Sequence, residues 1–161
     1  MTVGEPEPGG AAADTDREQH LRWAKALFND VWRLMDLADR TPEQDDQMIN
    51  QAHASTYHWS QVGTPANAAR GQWQCSRVYC VLGRAEPALF HAQRVLDICR
   101  REGIGDWDLA YAYEALARAS AVAGDRDQAR TWLEQARAAG VAITDAEDRE
   151  LLLADLATIP V

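Results

Sequence analysis

Apolar side chains recur at three- and four-residue spacings along most of this chain, beginning with Leu21, Ala24, Phe28, Val31, Met35 and Ala38. That period marks one face of an α-helix, and it predicts a long helix over 18–39. Thr41, Pro42 and Gln44 then stand at the N-cap, first and third positions of a second helix, a capping-box arrangement. Its apolar face carries Met48, Ala52, Ser55, Trp59 and Val62, and Gly63 is expected to end it in a left-handed turn. Thr64-Pro65 repeats the cap and opens a helix reaching Gly83, and Pro87 falls in the first turn of another that lasts to about Arg101. Gly103 and Gly105 break the chain, Asp106 is expected to cap a helix to Ala123, and Gly124-Asp125 turns into one ending near Gly140. Thr144 with Glu147 predicts a final capping box and a helix over 144–158. No segment alternates with period two for long enough to make a strand. The pattern predicts about seven helices.

Residues 1–17 mix Gly, Pro, Glu and Ala with no large apolar side chain after Met1, so they are expected to form a disordered tail ahead of one domain over 18–161. Within that domain the chain repeats itself at an offset of 41 residues. Residues 69–99 overlay 110–140, with Gly83 on Gly124 and Ala88 on Ala129. In the second unit Ala110, Tyr113, Leu116, Ala117, Gly124, Asp125, Ala129, Leu133 and Ala136 follow a pattern of large and small residues with a Gly-Asp turn. It lets two helices approach closely. In the first unit Ser76, Tyr79, Gly83 and Ala88 agree, while Gln72 and Ala92 depart from it. Over residues 66–140 this resembles the tetratricopeptide repeat.

The resemblance implies an all-α, tetratricopeptide-like α-solenoid of three helical hairpins, 18–62, 64–101 and 106–140, closed by a capping helix over 144–158. It also implies a role as a protein or peptide interaction module that binds in the groove bordered by the first helix of each hairpin. Fold is not function, and the partner is not identified by it.

Composition narrows the partner. A formal charge of −9 and a pI near 4.8 oppose binding to nucleic acid or to an anionic membrane surface. No apolar run approaches a membrane span, and no secretory signal opens the chain, so the expected compartment is the cytoplasm. A single lysine, Lys25, and abundant alanine point to bacterial coding. Cys75, Cys80 and Cys99 form no CxxC pair and are expected to be reduced core residues.

At 100° per residue, Arg70, Trp73 and Arg77 share one face of the third helix, and the repeat carries that face onto Tyr111, Glu114 and Arg118. Guanidinium forks, aromatic platforms and one carboxylate suit an acidic or carboxylate-bearing segment, with Arg70, Arg77 and Arg118 as contacts, Trp73 and Tyr111 as platforms, and Glu114 orienting the arginines. Between Asp46 and Glu86 no acidic residue occurs, although the chain is acidic. This leaves local positive potential for an anion, or complementarity toward acidic neighbouring helices. The competing view of the stripe pairs Glu114 with Arg77 or Arg118 as a purely structural unit.

A second reading is a small-molecule or metal sensor, or an enzyme, using a pocket with His53, His58 or His91 as polar groups. His53 and His58 are five residues apart, about 140° around a helix, so one regular helix cannot present both to one metal. No metal-ligand spacing, phosphate loop, nucleophile elbow or cofactor motif occurs, so no metal, cofactor or catalytic residue is assigned. A third reading is a homodimeric assembly protein.

Overall fold

The computed structural model describes the backbone of residues 10–161, with side chains from Asp14 onward. Among the described residues seven helices follow one another: α1 (Gly10–Met35), α2 (Pro42–Val62), α3 (Pro65–Val81), α4 (Ala85–Glu102), α5 (Asp106–Val122), α6 (Arg126–Gly140) and α7 (Ala146–Ala157). No strand occurs among the described residues, and no helix among them is long and apolar enough to cross a membrane.

The expected tail is partly helix. Residues 1–9 lie outside the described residues, but α1 already begins at Gly10, so 10–17 are helical. Ala11, Ala12 and Ala13 are the strongest helix formers, and extending an existing helix costs no new nucleus. At its other end α1 stops at Met35 rather than near residue 39. There Arg40 Nη1 donates to the carbonyls of Met35 and Leu37, both at 3.0 Å, taking over acceptors that the helix leaves open.

The two threonine caps form as the sequence predicts. Thr41 and Thr64 each accept from the third residue of the following helix, and Gln44 and Asn67 return the bond to the cap backbone. Gly63, expected in a left-handed turn, is instead extended, with φ −85°. It is needed for closeness: a Cβ there would sit 2.6 Å from the Trp59 carbonyl oxygen. Asp106 does not cap α5; its backbone is the only non-glycine at positive φ among the described residues, and its Oδ1 accepts from the Thr144 amide at 3.3 Å. With Thr144 held from behind, the cap of α7 is Asp145, which accepts from Glu147 N at 2.8 Å and Asp148 N at 3.2 Å.

The 41-residue repeat is a structural repeat. Helices α3 and α5 each have 17 residues, and their ends, like the starts of α4 and α6, coincide after the shift. Both hairpins turn through a glycine at positive φ, Gly83 at +67° and Gly124 at +79°. The following amide reaches back in each case, Arg84 N to Tyr79 O at 2.9 Å and Asp125 N to Ser120 O at 3.0 Å. This is a left-handed helix ending that glycine adopts without a Cβ penalty.

Each helix packs on its neighbour in sequence, and α1, α3, α5 and α7 also touch in series, whereas among the described residues the backbones of α2, α4 and α6 stay apart from one another. The odd-numbered helices thus form an inner layer and the even-numbered ones an outer layer. Small residues allow the close approach: Ala88, Ala92, Ala112, Ala117, Ala129 and Ala136 are all fully buried. Larger side chains fill what remains. Leu96 joins α4 to α3 and α5, Leu133 and Leu152 join α6 and α7 to α5, and Met48 and Val78 join α2 and α3 to α1. Each such burial contributes roughly 1.5 to 3 kcal/mol against chain entropy.

Candidate functional site

The inner layer holds a cleft of about 490 Å³, a volume typical of a ligand site. One wall is Phe28 and Trp32 of α1, the floor is Arg70, Trp73 and Arg77 of α3, and Trp107 with Tyr111 of α5 continues it. The far wall is Asp148, Leu151 and Asp155 of α7. Helix spacing explains why one face of each helix arrives here: Trp73 and Arg77, like Phe28 and Trp32, are four residues apart and lie one turn above each other. The α1 wall is tied to α3 by Gln74, whose Nε2 donates to the Phe28 carbonyl at 2.9 Å.

The rings form a continuous run. Phe28 meets Trp32 edge-on with centroids 6.2 Å apart, and Trp32 lies 5.5 Å from Trp73. Tyr111 then stands nearly perpendicular to both Trp73 and Trp107, at 5.3 and 5.5 Å. Such edge-to-face contacts are favoured by the ring quadrupole.

Beneath the rings lies a charge network. Glu114 is completely buried; its Oε1 accepts from Arg77 Nη1 at 2.9 Å and from Arg118 Nε at 2.6 Å, and its Oε2 accepts from Trp73 Nε1 at 3.1 Å. Asp155 adds the α7 side: Oδ1 accepts from Arg77 Nη2 at 3.1 Å and Oδ2 from the Tyr111 hydroxyl at 3.0 Å. Arg118 Nη2 reaches the Asp155 carbonyl at 2.9 Å and Thr158 Oγ1 at 3.0 Å. Burial, with Asp155 and Glu114 nearby, pushes the Tyr111 phenol well above its ordinary range, so it stays a donor. At the other end of the cleft Arg70 grips Asp108 with two bonds of 2.9 Å while its guanidinium carbon sits 4.5 Å from the Trp107 ring centroid. That bidentate bond raises the Arg70 pKa further.

All six residues predicted from the sequence, Arg70, Trp73, Arg77, Tyr111, Glu114 and Arg118, therefore meet in one place, but in two roles. Trp73, Tyr111, Arg70 and Arg77 line the cleft, whereas Glu114 and Arg118 lie in the network under it. The acid-free stretch between Asp46 and Glu86 is complementary to acids elsewhere in the chain: Arg70 takes Asp108, and Arg77 takes Glu114 and Asp155. Phe28, Trp32, Asp148, Leu151 and Asp155 were not foreseen. Trp32 lies one turn beyond Phe28 at the edge of the apolar stripe of its helix, and that spacing was the available signal.

The histidines separate into two pairs. His53 and His91 come together with ring centroids 5.2 Å apart, and His91 stacks on Tyr79 at 5.7 Å. His53 Nε2 and the Tyr79 hydroxyl are 2.9 Å apart, and His91 Nδ1 lies 2.7 Å from Gln72 Oε1. His58 lies elsewhere, its Nδ1 2.9 Å from His20 Nδ1, a partner that sequence spacing does not reveal. Among the described residues no group of three or more His, Cys, Asp and Glu side chains could hold a metal ion. Cys75, Cys80 and Cys99 are unpaired to sulfur, and burial pushes each thiol up to about 11, which keeps it protonated at neutral pH.

Desolvation, helped by His53 and Arg94, holds His91 down to about 4 from its ordinary 6.5, and desolvation lowers His53 as well. A histidine depressed in the folded state stabilises the fold fully above its unfolded pKa. That contribution is lost as pH falls from about 6.5 through about 4. After allowance for solvent screening at this half-buried ring, about 1 to 2 kcal/mol of unfolding free energy should disappear over that window. Urea titrations between pH 7 and pH 4 measure it, and His91→Gln should flatten the slope; an unchanged slope in that variant would place the pH dependence elsewhere.

Compared with known proteins, the chain matches no family model, no curated protein and no solved structure.

Proposed function

We propose that this chain is a tetratricopeptide-like interaction module of the cytoplasm whose inner-layer cleft receives a segment of a partner protein. The observation that carries the reading is the run of Phe28, Trp32, Trp73, Tyr111 and Trp107, drawn from three helices and left lining an open cleft when it could have been closed by core packing. Rigid aromatic anchors of this kind dominate the energy of peptide interfaces. The repeated hairpins supply the support, since Trp73 and Tyr111 stand on helices that overlay after the 41-residue shift.

The arginines play a different part from that expected of a carboxylate clamp. Arg70, Arg77 and Arg118 already hold Asp108, Glu114 and Asp155 of the same chain. An acidic ligand would have to displace these partners, so the seating of apolar side chains on the rings is the stronger basis for binding.

The test is selection from a displayed random-peptide library on the immobilised protein, followed by affinity measurement with wild type and Trp107→Ala. Enriched peptides should bind wild type and lose more than about 2 kcal/mol in the variant, while its circular dichroism stays helical. Failure to enrich any sequence, or enrichment indifferent to Trp107, sinks the reading. Self-association seen by light scattering and abolished by the same substitution would give the cleft to a second copy of this chain.

A further inference from the structure

We propose that the segment received by the cleft presents a cationic side chain, an arginine or lysine, which sits among Trp32, Trp73, Trp107 and Tyr111 and faces Asp148. This rests on the reading of the cleft as a peptide site and adds the charge of its occupant.

The first argument is the shape of the aromatic box. With Tyr111 at 79° to Trp73 and 87° to Trp107, the rings make walls at right angles, and each ring face carries the negative side of its quadrupole. A cation within about 6 Å of such faces is attracted by all of them together, and desolvation in the cleft strengthens the attraction.

The second argument is the balance of charge. Three guanidinium groups, Arg70, Arg77 and Arg118, meet four carboxylates, Asp108, Glu114, Asp148 and Asp155. Asp108, Glu114 and Asp155 are consumed by side-chain bonds. The carboxylate of Asp148, half-buried on the far wall, makes no side-chain hydrogen bond among the described residues, and its field acts on Arg70, whose fork is already closed on Asp108. The network around the cleft is thus left with one carboxylate more than its guanidiniums, and Asp148 on the far wall is the one without a side-chain bond. A chain of net charge −9 also steers basic segments toward itself.

The third argument is that the site already holds one such cation. Arg70 lies over Trp107 at 4.5 Å and is clamped by a carboxylate, so ring face plus carboxylate is a combination this backbone geometry supports. A ligand guanidinium between the rings and Asp148 would reproduce it one step further into the cleft. An acidic side chain in the same place would face Asp148 and Asp155, while the Arg70 and Arg77 forks are already turned onto Asp108, Glu114 and Asp155.

Three acetylated, amidated tripeptides decide the matter: leucine-arginine-leucine, the same with citrulline, which keeps the shape of arginine without its charge, and the same with glutamate. Titration is followed by tryptophan fluorescence at low and high salt, with wild type and Asp148→Asn, whose melting temperature is checked first. The arginine peptide should bind about tenfold more tightly than the citrulline peptide, the glutamate peptide should bind most weakly, and added salt should narrow the gap. Asp148→Asn should remove most of the preference and leave citrulline binding unchanged. Equal affinity for arginine and citrulline overturns the cationic occupant alone and leaves an apolar peptide cleft. Tightest binding of glutamate, or an arginine preference that persists in Asp148→Asn, overturns it as well. If none of the three peptides perturbs the fluorescence at millimolar concentration, the peptide cleft falls with it.

Discussion

Glu114→Leu is expected to lower the unfolding free energy by about 3 to 5 kcal/mol, the loss that follows when one partner of a buried ion pair is removed. The carboxylate is fully buried and answers two guanidiniums whose side chains are only 17% and 13% exposed, so both would be left desolvated without their common acceptor. The indole N–H of Trp73 would lose its acceptor too. Glu114→Gln should cost less, because the amide oxygen can still accept one bond. Arg118→Met combined with Glu114→Leu should recover part of the loss, since an apolar pair of similar volume removes the unpaired charge along with its partner. Urea unfolding monitored by circular dichroism measures all three. A neutral Glu114→Leu would mean that the floor of the cleft is held by packing and that the network beneath it adds nothing to stability.

The second large effect belongs to the last helix. Leu152 is fully buried among Leu133, Ile143, Leu156 and Ile159, and Gly140 of α6 makes room for it, since a Cβ at that glycine would stand 2.7 Å from Leu152 Cδ2. Leu152→Ala should therefore cost about 2 to 5 kcal/mol. Among the described residues the backbone of α7 packs only on α5 and α6, with the Arg77–Asp155 pair as its tie to α3, so the cost should appear first as local opening of α7. Hydrogen exchange should accelerate in 146–157 before it does in α3 or α4. The bonds of Asp155 to Arg77 and Tyr111 would loosen with it, and the cleft would lose a wall. Equal acceleration in every helix would show instead that the array unfolds as one cooperative unit.

The helices and their register were legible because their signals are local. Thr41 and Thr64 cap through neighbours three residues on, and Gly83 and Gly124 are the residues a left-handed ending demands. Where a local signal was misread, another group had claimed the position: the Thr144 amide is held by Asp106, 38 residues away, and Gly63 is pressed against the Trp59 carbonyl one turn back. The candidate site divides the same way. Periodicity placed Arg70, Trp73 and Arg77 on one face and the repeat carried that face to α5, so the assembly of six residues followed from arithmetic. What the arginines do depended on Asp108, Glu114 and Asp155, the last of them 78 positions from Arg77. No spacing rule reaches that far, and the α1 wall was hidden for the same reason.

Trp73 and Glu114 occupy equivalent positions in the two hairpins, one repeat length apart, and they are bonded to each other. The two units have therefore become unlike at the point where they meet. Arrays built from interchangeable modules can lengthen by tandem duplication, because every junction repeats the last. Here a third unit copied from the second would set a glutamate against a glutamate where an indole now donates, and a unit copied from the first would bring two indoles together with no carboxylate for the arginines. The junction works in one order and at one length, so this is a finished pair that has given up its capacity to grow.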